Sequence, residues 1–175
     1  ILEPEDLAQL RAAEALTSWQ RHPIAFTTEE MVALYRRVVE QTKHPGLREF
    51  IELRMDQRTA IVALRRKSLG LSAPGPGELW GVGRWVRRIE ANWDDADLTL
   101  GTVYPWMAEA REHVGSGNAL ALERLMMNVV WRRLARSADE RPFGFEQVFA
   151  FVFQWDILNR WLSHDAEVAT ERFQN

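Results

Sequence analysis

The segment 143–165, FGFEQVFAFVFQWDILNRWLSHD, is the most hydrophobic part of the chain. Placed on a helical wheel, one broad and mainly apolar face contains Phe145, Val148, Phe149, Val152, Trp155, Asn159 and Leu162. Much of the remaining circumference is also apolar, with Phe151, Phe153, Ile157, Leu158 and Trp161. A helix that is apolar almost all round is typical of a buried helix. We therefore predict a buried helix over 143–165.

Asp156 is the exception within this helix, because the wheel places it inside the apolar arc. An ionised carboxylate in such surroundings is costly unless a cation pairs with it. A third predicted helix, Leu47–Leu69, offers candidates, since Arg54, Arg58 and Arg65 fall on its apolar side. We predict that Asp156 forms a structural charge pair with at least one of these arginines.

Two interpretations of this arginine stripe remain open. In the first, one arginine pairs with Asp156 or Glu146 and fixes the two long helices side by side, while the others extend to the rim of the core. In the second, the arginines line a groove that receives an acidic segment of a partner protein.

The remaining pattern predicts further helices and no sheet. Thr27 and Glu30 form a capping-box pattern that begins a helix with apolar residues at helical spacing. The other predicted helices run from about Pro4 to Trp19, from Arg84 to Trp93, from Pro105 to Val114 and from Leu120 to Arg136. No stretch alternates with a period of two for long enough to make a strand. We predict an all-α bundle of about six to seven helices.

The segment 71–83, LSAPGPGELWGVG, holds two prolines and four glycines and is the clearest break in the pattern. It predicts a Gly/Pro-rich hinge between an N-terminal helical part, 1–70, and a C-terminal helical part, 84–175. We expect these two lobes to pack as one domain through the 143–165 helix.

Composition limits the classes of function. The 175 residues are 46% hydrophobic and 27% charged, which is typical of a globular domain. A net charge of -3 gives no general attraction to nucleic acid or to an anionic membrane. The absence of cysteine excludes disulfides and thiolate chemistry. Because no apolar run is long enough to span a bilayer and the first residues lack signal-peptide character, we expect a cytoplasmic protein that reaches the inner face of the membrane only through partner subunits.

Catalytic motifs are not evident. The glycines of 75–77 and 81–83 follow no predicted strand and do not form a nucleotide-binding loop. Glu109 and His113 lie four residues apart on one helix, but no second Glu-x-x-His element completes a di-metal site. We predict no catalytic residue, no metal, no cofactor and no small-molecule substrate.

Paired arginines recur beside apolar residues at 36–37, 65–66, 87–88 and 132–133. If the pairs converged on one face, they would suit RNA or an acidic protein surface. Adjacent helical residues point about 100° apart, which favours a solvated face with one inward-leaning arginine per pair. A free-standing helical binding module for RNA or an acidic protein is therefore the alternative function.

Three stretches together are similar to a known family: 49–66 (EFIELRMDQRTAIVALRR), 80–85 (WGVGRW) and 153–161 (FQWDILNRW). They resemble a bacterial family of uncharacterised proteins encoded among V/A-type ATPase genes, in the place where other operons carry the C-type stalk component, the counterpart of the eukaryotic d-type one. This resemblance implies an all-helical, non-catalytic adaptor between the membrane rotor ring and the central stalk, with V/A-type ATPase stalk or rotor subunits as protein partners.

The resemblance carries no catalytic residues with it. We place a stalk contact at two groups of residues, Arg54, Arg58 and Arg65 along the third helix, and Trp80, Arg84 and Arg88 around the Gly/Pro segment. Arginine and tryptophan are the residue types that protein interfaces favour.

Overall fold

A computed structural model describes residues 2–18, 26–141 and 143–173, with side chains as far as Leu162. Over these residues the chain forms seven α-helices and no strand, which confirms the predicted all-α class. The helices are α1 (Pro4–Thr17), α2 (Thr28–Gln41), α3 (Pro45–Ser68), α4 (Val86–Ala91), α5 (Met107–Gly115), α6 (Ala119–Glu140) and α7 (Phe145–Phe173). The predicted end of the first helix, Trp19, lies outside the described residues.

The chain forms two compact units, Ile1–Val129 and Val130–Asn175, whose boundary falls within α6. In the first unit α3 is the central helix and packs against α1, α2, α4 and α5. The segment 71–83 lies within this first unit, and its role as a hinge between two lobes stays a prediction.

The start of α2 has the predicted capping box. The Thr27 hydroxyl accepts a hydrogen bond from the backbone N–H of Glu30 at 3.2 Å, and the Glu30 carboxylate accepts one from the backbone N–H of Thr27 at 2.7 Å. Two N–H groups that the first helical turn leaves without helical partners are therefore satisfied by side chains.

Replacing Thr27 with alanine should lower the free energy of unfolding by about 1 kcal/mol, because the Glu30 N–H loses its side-chain acceptor. Chemical denaturation measures this loss. Glu29→Gln is the matched control, since Glu29 lies in the same turn outside the capping box. An equal effect of both substitutions would contradict the capping assignment.

The core-facing side of α3 differs from the predicted one. Arg65 and Leu69 were expected on the apolar arc, but both are exposed, while Arg54 and Arg58 are half-buried. The buried positions of α3 are Leu47, Phe50, Ile51, Met55, Asp56, Gln57, Thr59, Ala60, Ala63 and Leu64. Three polar residues belong to this face, and a wheel scored by hydrophobicity counts them against burial.

The prediction that α7 is buried all round is wrong. Glu146, Phe149, Ala150, Phe153 and Ile157 form its buried side. Four large apolar residues on the other side are exposed, namely Phe151, Trp155, Leu158 and Leu162. The helix is therefore apolar on two sides, and the fold covers one of them.

Asp156 is partly buried and lies at the edge of the buried side of α7, next to Phe149 on the wheel. The sequence pattern placed it inside the apolar arc because exposed apolar residues were counted as part of that arc. The proposed charge pair between Asp156 and Arg54, Arg58 or Arg65 stays a prediction.

Candidate functional site

A polar face on α3 forms the base of the site. Glu52, Asp56 and Thr59 are spaced four and three residues apart, which places them on one side of the helix. Asp56 and Thr59 are each only 1% exposed. Buried polar groups are costly unless they form hydrogen bonds, so this face requires polar partners.

The partners come from the segment 80–85, WGVGRW, which we call the strap. The Thr59 hydroxyl accepts a hydrogen bond from the Val82 N–H at 2.8 Å and donates one to the Val82 carbonyl. The Asp56 carboxylate accepts a hydrogen bond from the Arg84 N–H at 2.9 Å. The strap is neither helix nor strand, so these side chains satisfy backbone groups that would otherwise be buried without partners.

Two glycines permit this close approach. A Cβ atom at Gly81 would lie 2.7 Å from the Thr59 methyl group. A Cβ atom at Gly83 would lie 2.5 Å from the Asp56 Oδ1 atom, and Gly83 also has a φ of +113°. Both contacts are shorter than van der Waals packing allows. These two glycines of the Gly/Pro-rich segment therefore allow the strap to contact α3 directly.

Asp56 and Arg84 form the centre of the site. The Nε and Nη2 atoms of Arg84 donate to Oδ2 of Asp56 at 2.9 and 2.7 Å, and the Tyr104 hydroxyl donates to the same oxygen at 2.8 Å. The Nη1 atom of Arg84 lies 3.1 Å from Oε2 of Glu52. We call Glu52, Asp56, Arg84 and Tyr104 the Asp56 cluster.

The cluster keeps Arg84 charged. Burial lowers the pKa of Arg84, but the hydrogen bond and the negative charge of Asp56 outweigh this effect, so the pKa is raised overall. Charge-assisted hydrogen bonds of this kind are stronger than neutral ones and fix the orientation of the guanidinium.

Aromatic rings surround the cluster. The Tyr104 hydroxyl accepts a hydrogen bond from the Trp85 ring N–H at 3.0 Å, and the two rings meet edge to face at 6.5 Å. Tyr104 also stacks on Trp106 at 5.4 Å. Burial, followed by the charge of Asp56, raises the pKa of Tyr104 to about 12. Burial and the charges of Glu52 and Asp56 raise the pKa of Tyr35 to about 12.

The folded protein should therefore resist tyrosine ionisation. Tyr35 and Tyr104 are the only tyrosines in the sequence, and both have a pKa of about 12 against 10.0 for a free side chain. Because the folded pKa is the higher one, the stability linked to these groups is complete below about pH 10 and is lost as the pH rises through about 12.

Tyrosinate absorbance measures this difference. In the native protein it should appear at a higher pH than in the protein unfolded by denaturant, with circular dichroism recording whether the helices persist. If both titration curves coincide while the helices persist, the burial of these hydroxyls is wrong.

The structure brings some of the predicted binding residues together. The guanidinium carbons of Arg84 and Arg88 lie 6.0 and 5.3 Å from the ring centre of Trp85, within the range of cation–π interactions. Arg88 also donates to the side chain and carbonyl of Thr99 at 3.0 and 2.8 Å. Arg88 is exposed, so this part of the strap region is accessible to a partner.

Other predicted residues lie elsewhere. Trp80 is buried in the core of the first unit, where its ring N–H donates to Glu90 at 2.8 Å, and little of its side chain faces solvent. Arg54 donates to the Gln57 side chain at 3.1 Å. Burial lowers the pKa of Arg58. Arg65 is exposed on the last turns of α3.

Sequence reasoning missed Asp56, Thr59 and Tyr104. A signal for the first two was present, because they are polar residues three apart beside the buried positions Met55 and Ala60. Polar residues at core positions need partners that lie far away in sequence. The Gly-Val-Gly spacing of the strap is the complementary signal, since it permits close backbone approach.

The chemistry of the Asp56 cluster is structural. One oxygen of Asp56 accepts three hydrogen bonds and the other accepts the Arg84 N–H, so its acceptor sites are occupied and it is not presented as a base. Glu109 and His113 do approach to 3.5 Å, but no group of three metal-ligating side chains occurs in the part of the chain that the structure describes.

Across 2–18, 26–141 and 143–173, no helix combines the length and the apolarity that a bilayer crossing requires. Comparison of the chain with protein-family models, curated proteins and solved structures gives no match.

Proposed function

We propose that this chain is a non-catalytic structural and coupling subunit of a bacterial V/A-type ATPase, linking the central stalk to the membrane rotor. One observation carries the proposal. Two of the three stretches that resemble the family encoded among V/A-type ATPase genes, 49–66 and 80–85, bind each other through the Asp56 cluster and Thr59. The residues behind the resemblance are thus used to hold α3 and the strap together.

Such a use suits a protein that couples two others. A protein that transmits force between two partners needs elements that keep their relative positions, and buried charge-assisted hydrogen bonds provide fixed geometry. The strap is held to α3 by backbone and side-chain hydrogen bonds together. An enzyme would instead need a reactive group with a free acceptor or donor, and Asp56 offers neither.

The proposed stalk contact uses the arginines that remain accessible. Arg65 and Arg88 are exposed, and Arg84 keeps 41% of its side chain accessible. Arginine on a protein surface binds carboxylates with well-defined geometry. Partner subunits, and not the chain itself, would then provide the contact with the membrane.

The test is affinity purification of the tagged chain at its native level from the native host. Near-stoichiometric recovery of stalk or rotor subunits is the expected result. The double substitution Arg65→Ser/Arg88→Ser should reduce that recovery. Arg36→Ser/Arg37→Ser is the matched control, because these exposed arginines of α2 lie outside the proposed contact. Efficient recovery of the chain without any ATPase subunit would overturn the proposal.

The same purification also examines the RNA-binding alternative. Nucleic acid that co-purifies, is released by nuclease and binds with a steep salt dependence would favour a free-standing RNA-binding module over the proposed coupling role.

A further inference from the structure

The exposed side of α7 is an ordered apolar surface. We call Phe151, Trp155, Leu158 and Leu162 the α7 row; they are 67%, 58%, 37% and 66% exposed. Their spacing of four, three and four residues places them in one line about 17 Å long. The buried residues of α7 lie on the opposite side of the helix. The row is therefore not part of the core.

We propose that the α7 row binds an amphipathic α-helix of a partner protein. A spacing of alternating three and four residues is the spacing of the contact positions in a coiled coil. A second helix with apolar residues at the same spacing can insert its side chains between those of the row. Aromatic side chains such as Phe151 and Trp155 dominate the binding energy of many protein interfaces.

The residues beside the row specify the charge of the partner. Gln147, Gln154 and Asn159 flank it and are uncharged. Neither nucleic acid nor an acidic peptide finds a cation along these flanks. The complementary surface is a helix whose apolar stripe has uncharged borders, because a charge there would lose water without gaining a partner.

The size of the row distinguishes a partner helix from a second copy of the chain. The exposed fractions of its four side chains correspond to roughly 400 Å² of apolar surface. A stable dimer of folded chains needs about 800 Å² from each partner. A second copy bound through the row alone would bury too little. A helix within a larger assembly needs no more than this, because the assembly holds the chain at other points; this step rests on the proposed function.

The experiment uses the full chain in its native host. Phe151→Ser/Trp155→Ser should reduce the recovery of the partner about tenfold or more. Phe143→Ser is the matched control, because Phe143 is 98% exposed on the turn before α7 and outside the row; it should leave recovery unchanged. Circular dichroism confirms that each variant is folded.

A photoreactive phenylalanine derivative in place of Leu158 identifies the occupant. The inference is supported if the cross-linked peptide comes from a helix with apolar residues three and four apart. A cross-link to a second copy, to a non-helical segment or to nucleic acid overturns it, as does the absence of any cross-link. A cross-link to such a helix in a protein unrelated to the ATPase supports the row as a helix-binding surface and overturns only the proposed function.

Discussion

Replacing Asp56 with asparagine should lower the free energy of unfolding by about 3 kcal/mol. Asp56 is 1% exposed and accepts hydrogen bonds from the Arg84 guanidinium, the Arg84 backbone and the Tyr104 hydroxyl. Asparagine keeps the shape but removes the charge and places an N–H₂ group in a cluster of donors. Because 41% of the Arg84 side chain is exposed, water and Glu52 compensate the guanidinium in part. The cost therefore falls at the lower end of the range for broken buried ion pairs.

Urea denaturation of both proteins measures this effect. Asp94→Asn is the matched control, because Asp94 is an exposed aspartate outside the cluster and should change stability by no more than about 0.5 kcal/mol. A double-mutant cycle with Arg84→Met isolates the pair, since a shared interaction makes the two losses smaller together than in sum. Equal, small effects of Asp56→Asn and Asp94→Asn would show that the cluster contributes little to the fold.

Gly83→Ala should be at least as damaging, with a loss of about 3 kcal/mol or more, because the new methyl group meets two obstacles. The φ of +113° is strained for any residue with a Cβ atom, which costs about 1–3 kcal/mol. The Cβ atom would also lie 2.5 Å from Oδ1 of Asp56, so the strap would have to move away from α3. That movement breaks the hydrogen bond from the Arg84 N–H to Asp56.

Three other glycines of the same segment separate these two causes. Gly77 has a φ of +80° and open space, Gly81 has a contact of 2.7 Å without a positive φ, and Gly75 has neither. Alanine at each position therefore measures strain alone, steric contact alone and the background. We expect Gly75→Ala to be nearly neutral, Gly77→Ala and Gly81→Ala to be intermediate, and Gly83→Ala to be the most destabilising. Similar losses at Gly75 and Gly83 would contradict the docked strap.

Local signals in the sequence account for the helices. The capping box of Thr27 and Glu30 acts within one turn, so the start of α2 can be read from four consecutive residues. Pro45 and Gly70 bracket α3 for similarly local reasons, since proline suits a first turn and glycine readily adopts the positive φ of +71° that follows the helix. Helix formation depends on such neighbours, and the all-α class could be predicted from them.

The candidate site depends on residues far apart in sequence. Arg84 meets Asp56 across 28 positions, and Tyr104 reaches it across 48. No local pattern specifies these pairings. The prediction of Arg84 as a site residue named one member of the cluster, while its main partner was counted as an ordinary helical residue.

The sequence by itself determined the helical class, the cap of α2 and the double-sided apolar character of α7, because each depends on residues within a few turns. Only the tertiary structure decided which side of α7 is covered and which side of α3 faces the core. The physical reason is that burial is assigned by the elements that pack against a helix. Asp56 and Thr59 are buried because the strap supplies their hydrogen bonds, and the α7 row stays exposed because no part of the described chain covers it.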